Sequence, residues 1–313
     1  FFDTGITWSN SLNVAQMLDK SSYSISLGNT HQDGIISSTG MDRYNVKVSA
    51  DTKLTNNWSS GFTANYITTS IDKAVTSGNG LLRTVYAAPP SYDLAGIPSH
   101  VDGNPYTQNS FRGSFDNAYW AMENNKFTED TNRFFGNVYA SYQTDFGTTN
   151  HKLNAKYMVG VDAYTTHYVD SYGYGSNTGG GRGQIENYGW TNATYNSLLT
   201  INYDWHINED WGLNAVVGNE IIQSNRKKYY EYGTNYNFPG WNHINNATTQ
   251  QTEEETWKNR TVGFFGNVSA SYRNMLYLTL TGRQDYVSNM PRKNRSFFYP
   301  SISAGFILTE LDA

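Results

Sequence analysis

The sequence predicts an all-β fold, and within that class an antiparallel, up-and-down β-barrel wall that crosses a membrane. Three observations carry this expectation. Apolar and polar residues alternate with a period of two through most of the chain, the spacing of a strand with one greasy and one wet face. Many of these stretches run to roughly 13 to 15 residues, where strands of soluble sheets average ~5 or 6. The connections between them alternate short and long, which places every tight turn at one end of the sheet and every large loop at the other.

The nonapeptide FFGNVYASY (134–142) returns as FFGNVSASY (264–272), with Tyr139 replaced by Ser269. In the second copy Phe264, Gly266, Val268, Ala270 and Tyr272 share one side, and Phe265, Asn267, Ser269, Ser271 and Arg273 the other. About eleven stretches of this kind can be placed: 4–15, 21–30, 41–54, 58–70, 132–146, 150–165, 194–207, 211–224, 260–273, 276–287 and 297–308. YNVKVSADTKL sets Tyr44, Val46 and Val48 against Lys47, Asp51 and Lys53. HKLNAKYMVGVDAY sets Leu153, Ala155, Tyr157, Val159 and Val161 against Lys152, Lys156 and Asp162. LLTINYDW and PSISAGFIL repeat the arrangement with Ile201 and Ile302. Short connections fall near 16–20, 55–57, 147–150, 208–210 and Asn274, and long ones at 31–40, 71–131, 166–193, 225–259 and 288–296. The segment GLLRTVYAAPPSYDL has room for one short helix before Pro89, inside a loop.

Alternation alone also fits a soluble β-sandwich, whose apolar face packs on a second sheet. Strand length and the one-sided loops favour a membrane wall, and so do the aromatics on the greasy face. Trp58 and Tyr66 lie eight residues apart, Tyr195 and Trp205 ten. At ~3.3 Å per residue and a tilt near 40°, each pair spans roughly 20 to 25 Å, the height of an apolar band between two aromatic girdles. Trp58, Trp205 and Trp211 all sit beside short turns. A bilayer requires every backbone polar group to be paired inside the protein, so such a wall must belong to a closed barrel.

Composition excludes other classes. The chain has 313 residues, 38% of them hydrophobic, with a mean hydropathy of −0.62 and no apolar run approaching the ~18 to 20 residues of a spanning helix. A net charge of −5 gives no basic footprint for nucleic acid. Cysteine is absent, which excludes disulfide frameworks and thiolate chemistry. The sequence opens on Phe1 and stops just after a strand-like run, AGFILTELDA, and so reads as a portion of a longer chain.

Several stretches resemble the SusC/RagA class of TonB-dependent outer-membrane transporters of Bacteroidetes. DKSSYSISLGNTHQDGIISSTGMDRYNVKVSADTKLTNNW (19–58) is similar to that family's early barrel segment, in which a DK turn leads to a Tyr-bearing strand, an xDGII loop and an RY strand opening. FFYPSISAGF (297–306) resembles its FPSxSAG strand, and LTGRQDYVSN (280–289) stands where members carry RxDGSSxF, with a looser match. The resemblance implies about half of a 22-stranded barrel, with the plug and the TonB-contacting segment outside this chain. It further implies outer-membrane location, a SusD-like surface lipoprotein over the mouth, energy from the TonB-ExbB-ExbD complex, and glycan or oligopeptide cargo. A passive porin and a soluble adhesin or glycan-binding sandwich are the alternatives.

Two aromatic-rich segments are candidates for touching cargo, because rings offer rigid amphipathic surface at low entropic cost. HYVDSYGYGSNTGGGRGQIENYGW (167–190) supplies Tyr168, Tyr172, Tyr174, Tyr188 and Trp190. KKYYEYGTNYNFPGW (227–241) supplies Tyr229, Tyr230, Tyr232, Tyr236 and Trp241. Lys152, Lys156, Asp162, Asp204, Glu220, Arg273 and Arg283 are expected to line the lumen or face a plug. GGGRG (179–183) lacks the Lys-Ser/Thr ending of a phosphate loop, the Glu253–Glu255 run lacks the spacing of a calcium loop, and the six His residues are scattered. No cofactor, metal site or catalytic constellation is indicated, so an enzyme is not expected.

Overall fold

The structure is a computed structural model that describes residues 1–75, 80–178 and 180–310. Its strands are β1 (Thr7–Met17), β2 (Ser21–Asp33), β3 (Gly40–Lys53), β4 (Trp58–Asp72), β5 (His100–Val101), β6 (Asn104–Gln108), β7 (Lys126–Thr144), β8 (His151–Tyr172), β9 (Gln184–His206), β10 (Trp211–Tyr236), β11 (Ala247–Tyr272), β12 (Leu276–Val287) and β13 (Ser296–Phe306). Two short helices, α1 (Leu81–Ala87) and α2 (Ala118–Asn124), lie in the connection between β4 and β7. β1–β4 and β7–β13 form one antiparallel eleven-stranded sheet in which each strand pairs with its successor. The sheet stays open, with β1 and β13 at its edges, and β5–β6 is a separate hairpin.

Among the described residues, none packs over the greasy face. Val138 is 53% exposed, Val268 45% and Ile302 71%, and Trp58, Phe62, Tyr66, Leu199 and Phe264 are exposed beside them. Cross-strand register keeps these side chains together: Leu12 pairs with Leu27, Leu27 with Val46, Val46 with Tyr66, and Tyr66 with Phe134. A sheet with this much contiguous apolar surface is stable only against hydrocarbon. Rings crowd the turn end of the same face, Trp58 on Tyr142 at 5.1 Å and Trp211 on Tyr272 at 4.8 Å between centroids.

The turns are tight for local reasons. The Thr55 hydroxyl accepts from the Asn57 and Trp58 N–H groups, and the Asn208 side chain does the same for Asp210 and Trp211. Between β11 and β12, Arg273 and Asn274 both take positive φ, 49° and 51°, the two-residue geometry that matches strand twist.

The recurring nonapeptide occupies equivalent staves. On the wet face of β11, Phe265 covers Gly218 of β10, where a side chain would collide with the ring. The one differing position follows its neighbours. Tyr139 of β7 lies against Gly61 of β4, and its hydroxyl donates to Asp51 at 2.6 Å. Ser269 of β11 has Thr279 opposite and shares a 2.8 Å hydrogen bond with it.

Two expectations need correction. The stretches 166–193 and 225–259, expected as loops, are mostly strand: β8 continues to Tyr172, β9 starts at Gln184, β10 runs to Tyr236 and β11 starts at Ala247. Only 173–183 and 237–246 remain as connections. Beyond the apolar band both faces meet water, so the period-two hydrophobic signal disappears while the hydrogen-bonded ladder goes on. The α1 helix lies where the sequence left room for it, but α2 and the β5–β6 hairpin carried no such expectation. Asn117 caps α2 by accepting from the Tyr119 and Trp120 N–H groups at 3.0 and 3.3 Å.

The buried core lies at the loop end, in the loops and the outermost strand residues. Among the described residues, Trp120, Ala118, Ala121, Tyr236, Ile185, Ala247 and Ile36 are the buried hydrophobics, and none belongs to the apolar wall. Asp116 organises this cap: Gln108 Nε2 and the Asn177 N–H donate to one carboxylate oxygen, each at 2.7 Å, and Ser176 Oγ donates to the other at 2.6 Å. Trp120 Nε1 donates to the Pro105 carbonyl at 2.8 Å. Gly175 has φ of +100° and its backbone approaches Tyr106 so closely that a Cβ would strike the carbonyl oxygen. The connection 73–125 is thereby fastened to the β8–β9 turn, and Asn242, donating to the Asn124 carbonyl at 2.8 Å, fastens it to the β10–β11 turn.

Candidate ligand-contact surface

The strand extensions carry a ruled surface on the wet face, because antiparallel register sets residues of one parity side by side. One row crosses five strands as Glu129, Tyr168, Tyr188, Tyr230 and Glu253, three tyrosines with a glutamate at each end. The row further from the apolar band reads Phe127, Asp170, Glu186, Tyr232 and Gln251; the nearer one reads Thr131, Thr166, Trp190, Lys228 and Glu255.

The rings touch. Tyr168 and Tyr188 stack at 4.8 Å with 6° between planes, Trp190 lies 5.6 Å from Tyr168, and Tyr230 lies 6.4 Å from Tyr188. Charges lie among them. Lys73 Nζ sits 4.5 Å above the Tyr168 ring and 3.5 Å from Glu129. The Arg226 guanidinium lies between Trp190, at 5.1 Å, and Trp257, at 5.4 Å. Tyr188 donates its hydroxyl proton to Asp170 at 3.0 Å. Burial, followed by the Asp170 charge, raises the Tyr188 phenol above its ordinary range. Burial and Glu129 do the same to Tyr168, and burial and Glu186 to Tyr230. These phenols stay protonated at neutral pH, and that of Tyr188 donates to a carboxylate.

Five of the ten aromatic candidates, Tyr168, Tyr188, Trp190, Tyr230 and Tyr232, thus fall in adjacent rows. Of the other five, Tyr229 lies on the opposite face of β10, stacked on His167, and Tyr236 is fully buried. Tyr172 makes an edge contact with Phe127 at 5.2 Å. Tyr174 packs on the small core of Ile185, Tyr236 and Ala247. Trp241 stands in the β10–β11 turn, sandwiched between Phe238 and His243 at 5.8 and 4.9 Å. Glu129, Asp170, Glu186, Lys73 and Arg226 were not singled out from sequence; the missing signal was the register between neighbouring strands.

Of the polar residues expected on the wet face, Lys152 pairs with Asp204, and Lys156 and Asp162 share their parity on β8. Asp162 receives a bidentate contact from Arg133, with Nε at 2.8 Å and Nη2 at 2.5 Å. Glu220 binds Arg283 Nη2 at 2.7 Å, and Asp285 holds the Nε of the same guanidinium at 2.8 Å. Lys156 lies 4.0 Å from the Tyr139 ring centroid, and Asp204 accepts from Asn202 and Asn214. Arg273 differs: it lies in the β11–β12 turn, paired with Asp210 of the neighbouring turn at 2.8 Å, at the rim of the sheet and not along its wall.

The remaining motifs have plain structural readings. Gly180, Gly181 and Gly183 adopt positive φ in the β8–β9 turn, with no helix after them to receive a phosphate; Gly179 lies outside the described residues. Glu253, Glu254 and Glu255 alternate between the two faces of β11, with Glu254 on Lys227 at 2.9 Å and Glu255 on Lys228 at 3.9 Å.

An apolar girdled wall, a wet face rich in fixed ion pairs and an open eleven-stranded sheet define the class: part of a transmembrane barrel of the bacterial outer membrane. Its particular likeness is to SusC/RagA-like TonB-dependent transporters. The chain is 26% identical to a TonB-dependent receptor of Formosa agariphila, over 92% of this chain and 29% of that protein. It is 24% identical to the TonB-dependent receptor SusC of Bacteroides thetaiotaomicron, over 99% of this chain and 32% of that one. The solved RagAB peptide importer in its open-open state superposes with a TM-score of 0.79 at 17% identity, covering 97% of this chain and 34% of the other. The ferric preacinetobactin receptor BauA of Acinetobacter baumannii reaches 0.55 at 12% identity, over 95% and 43%. The chain spans about a third of the length of the curated relatives it matches. No model of a protein family matches it.

Proposed function

We propose that this chain is the barrel portion of an importer that moves oligomeric nutrients, glycans or oligopeptides, across the outer membrane with energy from the TonB-ExbB-ExbD complex. A SusD-like surface lipoprotein closes over the loop end of the barrel, and a plug outside this chain fills the lumen. The polar wall of Lys152, Lys156, Asp162, Asp204, Glu220 and Arg283 faces that lumen, and membrane lipids meet the other side.

The observation that carries this reading is the row of Tyr168, Tyr188 and Tyr230 between Glu129 and Glu253. It sits on the wet face, beyond the apolar band, on strands rather than on loose loops. Rings held by strand register present a flat, preorganised surface that loses little entropy on binding. The flanking carboxylates accept from cargo hydroxyls or amides.

The test uses the complete transporter with its lipoprotein. Binding of defined oligosaccharides and oligopeptides is measured by calorimetry, and their uptake in cells with and without TonB. The triple variant Y168A/Y188A/Y230A is expected to weaken binding of the accepted class at least about tenfold, from ~1 kcal/mol or more per ring. Uptake should vanish without TonB. TonB-independent uptake would identify a passive porin, and unchanged binding by the variant would remove this surface from the cargo path.

A further inference from the structure

The loop end of the sheet is not uniform in charge on its lipid side. Above β2–β7 the outward positions just past the apolar band are Asp42, which holds His31 at 2.7 Å, and Asp130, which accepts from Ser70 at 2.6 Å. Above β11–β13 the sign reverses. Lys258 and Arg260 share the face of Phe264 on β11, and the β12–β13 connection reads SNMPRKNRS, with Arg292, Lys293 and Arg295 and no acid.

Backbone hydrogen bonds gather these residues at one height. The Ser288 N–H donates to the Arg260 carbonyl at 2.8 Å, the Arg260 N–H to Ser288 Oγ at 2.6 Å, and the Val287 N–H to the Arg295 carbonyl at 2.9 Å. Arg260 and Arg295 therefore flank the end of β12, about two strand spacings or ~10 Å apart. Among the described residues, none of the five cations makes an ion pair. Arg260 bonds the neutral Gln223 side chain, and all five are exposed. Directly below them lie Phe298 and Ile302, exposed members of the apolar wall on β13.

Unpaired cations at the upper edge of an apolar band, above exposed aromatic and aliphatic staves, complement an amphiphile with an anionic head. We propose that the β11–β13 rim is a binding surface for the phosphate groups of a membrane lipid, whose acyl chains lie along Phe264, Phe298 and Ile302. Among the described residues, the rim over β2–β7 carries no such cluster of cations, so the lipid selects one flank of the barrel. This rests on the transmembrane fold and not on the import reading.

The test places the complete transporter in detergent with bisphosphorylated lipid A or with its dephosphorylated form, and counts retained lipid by native mass spectrometry. The wild type is expected to retain the phosphorylated form several-fold better. R292Q/K293Q/R295Q should lose at least about tenfold of that preference, since each surface cation contributes roughly fivefold to attraction of anionic headgroups. K258Q, on a strand fixed by its ladder, should lose a smaller part, and D42N/D130N none. Millimolar pyrophosphate should leave the lipid in place. Equal retention of the two lipids, an unchanged preference in the loop variant, or displacement by pyrophosphate alone would each overturn the proposal. Heat-modifiable migration on gels confirms that each variant is folded, and cargo uptake, measured separately, is expected to remain.

Discussion

The wall of the sheet and the cap of packed loops dispose of apolar surface in opposite ways. In the wall, Val138, Val268 and Ile302 are left open, because the neighbour they are built for is hydrocarbon. In the cap, Trp120 and Tyr236 are fully buried, and polar groups such as Asn117, Ser176 and Asn246 are buried with them. The cap stands clear of the hydrocarbon, so its loops need a core and a hydrogen-bond network of their own. The wall needs neither, since its ladder pairs the backbone and the bilayer takes the side chains. One chain thus contains an inside-out region and a conventional one, joined where β8 to β11 rise out of the apolar band.

Three experiments break or sharpen this contrast. The largest effect is expected from Trp120→Ala, which removes a wholly buried ring and the hydrogen bond to Pro105. About 3–5 kcal/mol of local stability should be lost, read as faster hydrogen exchange and proteolysis within 80–125 while the barrel keeps its heat-modifiable gel shift. Loss of the whole barrel would show that cap and wall are one cooperative unit.

Next comes Val268→Arg on the lipid side, expected to cost ~2–4 kcal/mol near mid-bilayer. Ser269→Asn, one residue along on the wet face, should be close to neutral. Reversible unfolding of the complete protein in lipid vesicles measures both, and equal costs would mean that the two faces have been assigned wrongly.

The smallest effect concerns His31. The hydrogen bond and charge of Asp42, with Asp33 adding to them, raise its pKa above 6.5. A group with a raised folded pKa contributes stability in full below its unfolded pKa and loses it as pH climbs through the folded value. Histidine-selective NMR should find His31 titrating above 6.5, and Asp42→Asn should bring the midpoint back down. A wild-type midpoint at or below 6.5 would remove the ion pair from the rim.

The wall was readable because a bilayer imposes a strict alternation on each strand, one that local sequence records. Val268 and Ser269 betray their faces with no reference to any other strand. The same reading stopped short at Thr166 and Asn225, where lipid ends and both faces turn polar, although the ladder continues to Tyr172 and Tyr236. Asn117 heads α2 in a sequence with little helical periodicity, so the cap became legible only through what Trp120 packs against.

Sequence by itself determined the strands within the apolar band, their lipid side and the end at which the turns lie, because each depends on residues two apart and on the solvent they meet. Tertiary structure alone decided which residues stand together. Glu129, Tyr168, Tyr188, Tyr230 and Glu253 come from five strands, and only register sets them in one row. Register is a property of strand pairs, fixed by the whole ladder, and no single stretch of sequence contains it.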